Sequence, residues 1–75
     1  MRVECYAGYR GDERPVALWI GPQRIAIQAL QATWLTEVGA CFRVLGVDGV
    51  TYVLRRDDRH DRWELIQSIY QQDKP

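Results

Sequence analysis

Apolar and polar residues alternate along most of the chain, and short Gly-, Asp- and Arg-rich stretches interrupt the alternation. A period of two places successive side chains on opposite faces of a strand, so each uninterrupted stretch predicts one strand. Six follow, near residues 2–9, 15–20, 24–35, 40–47, 50–56 and 62–68. Asp48-Gly49 lies between two β-rich runs, and Asp-Gly in that setting predicts a tight two-residue hairpin with positive φ at both central positions. Gly21-Pro22-Gln23 predicts a second hairpin, because Gly supplies the positive φ that a tight turn needs. Arg10–Arg14 and Arg56–Asp61 read as exposed polar connections.

Strand follows strand with connections too short for parallel crossovers, so the chain predicts an all-β fold. It is a six-stranded antiparallel meander, rolled into a strongly twisted sheet or a small SH3-like barrel. The third segment is the least regular. Ile25 and Ile27 alternate, whereas Ile27, Leu30, Gln31 and Trp34 also fall at helical spacing, which keeps a short helix as the alternative. A long strand with a bulge near Ala29-Leu30 reconciles the two patterns, since one extra residue switches the inward face and bends the strand. The expected core is Val16, Leu18 and Ile20, Phe42 and Val44, Tyr52 and Leu54, and Trp63 and Leu65. Trp19 lies on the other face from Leu18 and Ile20, so its indole is either exposed or covered by closure of the sheet.

Length bounds the rest. A chain of 75 residues holds one core and hides only about 60% of the surface that its unfolded form exposes. Residues 1–70 therefore read as a single β domain and 71–75, which lack apolar content, as a frayed tail. Ten Lys plus Arg balance ten Asp plus Glu, removing the overall field that non-specific binding to nucleic acid or an anionic membrane relies on. The start Met1-Arg2-Val3-Glu4 lacks a signal-like apolar stretch and no apolar run is long enough to span a bilayer, so the expected setting is the cytoplasm, with Cys5 and Cys41 as reduced thiols.

Catalytic and metal-binding patterns are thin. His60 is the only histidine and sits among Asp57, Asp58, Arg59 and Asp61, but a zinc site needs several N or S ligands at defined spacing. Ser68 is the only serine and lies in no nucleophile turn, while Gly8, Gly11 and Gly21 make no phosphate loop. The expectation is a domain without enzymatic activity, metal or cofactor. The candidate interaction surface is Tyr6, Tyr9, Trp19, Arg55, Arg56, Arg59 and Arg62.

The order Cys5-Tyr6-Ala7-Gly8-Tyr9-Arg10-Gly11, Glu13, Pro15, Trp34, Phe42-Arg43-Val44, Asp48-Gly49, Tyr52-Val53-Leu54-Arg55, Asp57 and Trp63-Glu64-Leu65 resembles a group of small bacterial proteins of unknown function. More loosely it is similar to a bacterial domain of unknown function sometimes encoded beside error-prone translesion polymerase genes. The resemblance implies a bacterial origin and carries over neither an activity nor a site residue. An open meander leaves unpaired strand edges that must be blocked or used, so the expected role is a protein-interaction or self-assembly module working through an exposed sheet edge and aromatics, whose partner is an unidentified protein or a second copy. The alternative is an accessory domain that touches single-stranded nucleic acid through Arg55, Arg56 and exposed aromatics, with Asp57, Asp58, Asp61 and Glu64 interleaved against them.

Overall fold

A computed structural model of the chain describes residues 1–7 and 13–70. It contains six strands, β1 (Val3–Ala7), β2 (Glu13–Ile20), β3 (Gln23–Leu35), β4 (Ala40–Gly46), β5 (Val50–Asp57) and β6 (Arg62–Tyr70). They form one sheet in the order β1-β2-β3-β4-β5-β6, every neighbouring pair antiparallel. The predicted meander is therefore the fold, a strongly curled half-barrel with no helix among the described residues.

β3 makes the curl. Its first four residues pair with β2, from Gln23 opposite Ile20 to Ala26 opposite Ala17, and its remainder pairs with β4, from Ile27 opposite Gly46 to Leu35 opposite Ala40. The register shifts twice in between, across Ile27/Ala29 and Leu30/Ala32. These two irregularities flank the predicted bulge: each extra residue turns the inward face by one position, so Ile27, Leu30 and Thr33 stand opposite Gly46, Val44 and Phe42, while Trp34, opposite Cys41, falls on the other face. The long strand thus joins the two halves of the half-barrel.

The core fills the concave side. Leu18, Val44 and Leu54 are fully buried, and Ile25, Phe42, Val50, Tyr52 and Trp63 pack with them. Phe42 and Trp63 meet with ring centroids 5.4 Å apart at 47°, a tilted arrangement that aromatic quadrupoles favour. Burying each large side chain contributes roughly 1.5–3 kcal/mol, the main term available to a domain of this size.

Three expected core residues lie outside it. Val16 is 39% exposed because the β1–β2 register runs from Glu4 opposite Ala17 to Cys5 opposite Pro15, which leaves Val16 as the extra residue of a bulge. Pro15, without an N–H to give the ladder, belongs at such an irregularity. Ile20 is half exposed as the last residue before the β2–β3 turn, and Leu65 is exposed on the edge strand.

The turns follow local chemistry. Gly21 has φ +57° and is followed by Pro22, with Ile20 and Gln23 paired around them. Positive φ at the first central position and proline at the second define a type II′ hairpin. At Asp48-Gly49 only Gly49 has positive φ, +85°, so the expected turn with two such positions does not form. Instead Gly49 N–H donates to the Gly46 carbonyl and Asp48 Oδ1 accepts from Val50 N–H, a three-residue connection with the left-handed residue last. The β3–β4 connection is held by Thr36, whose hydroxyl donates to the Gly39 carbonyl and accepts from the N–H groups of Val38 and Gly39.

Candidate functional site

The sequence-derived surface separates into two clusters. The first lies on β1, β2 and the start of β3. Glu4 accepts the Trp19 indole N–H at 3.0 Å and two N–H groups of Arg24 at 2.9 and 3.0 Å. The Arg2 guanidinium stands 4.6 Å from the centre of the Trp19 ring. Trp19 is thus half-buried, with a cation over its ring and its indole N–H anchored by a carboxylate. Arg24 first and Trp19 second hold the Glu4 carboxyl down at about 2 from the ordinary 4.5. This cluster was invisible in the sequence, because Glu4 and Arg24 meet only through the offset that the Pro15 bulge sets between β1 and β2.

The second cluster surrounds the β5–β6 turn. Arg55 and Glu64 are register partners and their charges meet at 2.6 Å. Arg56 pairs with Asp61 and lies 5.8 Å above the Trp63 ring. Arg62 lies 3.4 Å from Glu64 and 3.9 Å from Asp57. Buried Asp57 organises the turn: it accepts from the backbone N–H groups of Arg59 and His60 and from His60 Nδ1 at 2.9 Å. The His60 side-chain bond is the chief cause that lowers the Asp57 carboxyl below its usual range. His60 therefore works as a turn partner of Asp57. Among the described residues no group of three or more His, Cys, Asp or Glu is placed to hold a metal.

Of the proposed contact arginines, Arg55, Arg56 and Arg62 are engaged by acids of their own hairpin, and the Arg59 side chain has no ion pair among the described residues. Tyr6 is 64% exposed on β1, distant in strand order from the β5–β6 cluster. Tyr9 lies outside the described residues.

The sheet edges differ more than these clusters do. The described part of β1 is five residues long, its register shifts between Glu4 and Cys5, and its second residue, Glu4, carries a charge. β6 is nine residues long. The N-terminal ammonium donates to the Trp63 carbonyl at its start, but beyond that point Leu65-Ile66-Gln67-Ser68-Ile69-Tyr70 is exposed throughout and uncharged. Its one irregularity falls between Leu65 and Gln67, so Gln67–Tyr70 pairs with Val53–Val50 in unbroken register. Short length, a bulge and charge are devices that protect an edge, and β6 lacks the first and the last over this stretch. The meander read from the sequence implies unpaired strand edges, and the strand order shows that β1 and β6 are the two outer strands. A shallow apolar groove of about 160 Å³ lies elsewhere, against Thr33, Trp34, Leu35 and Ala40.

Compared with family models, curated proteins and solved structures, the chain matches none. No helix among the described residues is long and apolar enough to cross a membrane.

Proposed function

We propose that the chain is a non-enzymatic protein-interaction or self-assembly module that works by strand addition at the outer edge of β6. The observation behind this reading is the contrast between its edges: the described part of β1 is short and carries charged Glu4, whereas β6 from Leu65 to Tyr70 is exposed and uncharged, with a single bulge at Ile66. An open ladder of that kind gives a partner strand backbone hydrogen bonds, and side chains at alternate positions give selectivity. A cytoplasmic setting fits the reading, since there Cys5 and Cys41 stay reduced. The paired arginines of the β5–β6 hairpin speak against the nucleic-acid alternative, because their positive charge is already balanced locally.

The test is position-resolved crosslinking in the source cells, with a photoreactive benzophenone side chain at Ser68 on β6 or at Tyr6 on β1. The expected result is a discrete adduct from Ser68, none from Tyr6, and loss of the adduct when Ile69→Lys is added. Adducts from Tyr6 alone, or from neither position, would overturn the proposal.

A further inference from the structure

We infer that the occupant of the β6 edge is β6 of a second copy, the two strands running antiparallel about a twofold axis so that one sheet continues through both chains. The inference rests on the strand-addition reading above and names its partner.

Three features select a second copy. An isologous contact needs a strand that complements itself. A twofold pairing centred on Ser68 sets Ser68 opposite Ser68 and Gln67 opposite Ile69, pairs that lie within the unbroken stretch Gln67–Tyr70, and no charge faces a like charge. The parity is also right. Gln67 and Ile69 share the face of their partners Val53 and Thr51, as residues opposed in a continuous sheet must.

The second feature is charge. Ten positive and ten negative side chains leave the chain neutral, and Glu64 and Arg62, which precede the open stretch, are ion-paired within their own chain. Two copies approach without net repulsion, while a strongly charged partner would gain nothing at this edge.

The third feature is closure. Pairing β6 of one copy with β1 of the next would propagate without end, but β1, bulged and with charged Glu4 as its second residue, resists strand addition. Pairing β6 with β6 consumes that edge in each copy and stops at two.

Sedimentation equilibrium of the purified full chain tests this. The expected mass rises with concentration from the 8.7 kDa of one chain to twice that value. Ile69→Lys, on the open edge, raises the dissociation constant more than about tenfold, and Leu35→Lys, on the exposed groove of β3, leaves it unchanged. Should Ile69→Lys fail to fold by circular dichroism, Ser68→Cys serves instead. Under mild oxidation it forms an interchain disulfide that Tyr6→Cys does not form, and absence of that bond counts against the inference. A wild-type chain that stays at 8.7 kDa at high concentration overturns the second copy. If crosslinks from Ser68 to a different protein persist in that case, strand addition survives. If none form, both proposals fall.

Discussion

Arg55 and Glu64 face each other across β5 and β6, and the guanidinium reaches one carboxylate oxygen through both Nε and Nη2, at 2.9 and 2.6 Å. The pair sits on the hairpin that supplies the basic half of a nucleic-acid patch, and Arg56 is occupied by Asp61 beside it. Charge counted along the sequence therefore overstates the charge a phosphate backbone would meet.

A first prediction follows for single-stranded oligonucleotides. Arg55→Ala with Arg56→Ala leaves binding at low salt as weak as in the parent chain. Glu64→Gln with Asp61→Asn frees both guanidinium groups and produces binding that weakens steeply as salt is added. Fluorescence anisotropy over a salt series measures both, and strong parent binding lost in the arginine variant would reverse this view of the hairpin.

Gly39 gives the sharpest steric prediction. A Cβ there would stand 1.9 Å from the Arg56 carbonyl oxygen and 3.3 Å from an Asp58 carboxylate oxygen. The Val38 carbonyl also accepts the Asp58 N–H at 3.3 Å, so the β3–β4 connection is pressed against the end of β5. Gly39→Ala must separate them and costs about 1–3 kcal/mol, as overpacking does. In a domain of this size each kcal/mol lowers the melting midpoint by about 4–8 °C. A thermal melt of the variant checks it, and an unshifted midpoint contradicts the contact.

Gly49 is constrained by its backbone, since nothing lies near the position of an added Cβ and its φ is +85°. Gly49→Val should therefore destabilise by about 1–2 kcal/mol or more, the cost of left-handed backbone for a branched side chain. Gly49→Asn, whose side chain tolerates that region, should lose clearly less. Equal midpoints for the Val and Asn variants would show that conformation does not matter there.

The two glycines also show what was legible in the sequence. Asp48-Gly49 and Gly21-Pro22 place the turns by local chemistry alone, and with the turns placed the strand order follows, because short connections force neighbouring antiparallel pairs. The exact turn at Gly49 was less accessible, since two- and three-residue connections share the Asp-Gly signal. Gly39 has no local signature, as its requirement comes from the Arg56 carbonyl across the fold. Simple alternation puts Val16 in the core, and the proline beside it is the signal of a bulge that shifts the pattern. Glu4, Trp19 and Arg24 are brought together by register, which no spacing in the sequence reveals. The open edge was within reach once the meander was drawn: β6 is last in order and its final six residues are uncharged.

Acid should weaken the fold through Glu4. Its folded value of about 2 lies below the ordinary 4.5, so its contribution is fully present above 4.5 and is lost as pH falls from there towards 2. The lowered Asp57 carboxyl acts with the same sign. Glu4→Gln removes the first contribution, so melting midpoints of that variant should fall less steeply across this window than those of the parent. Parallel curves would mean that the Arg24 and Trp19 bonds do not distinguish the folded state.

The most direct test of the central claim, that β6 is the working edge and a second copy covers it, is amide hydrogen exchange of the purified chain over a range of concentrations. Backbone N–H groups on the open side of Leu65–Tyr70 should exchange more slowly as concentration rises, while those of β1 keep their rates. Rates in β6 that do not depend on concentration, or protection that grows in Val3–Ala7 instead, would contradict it.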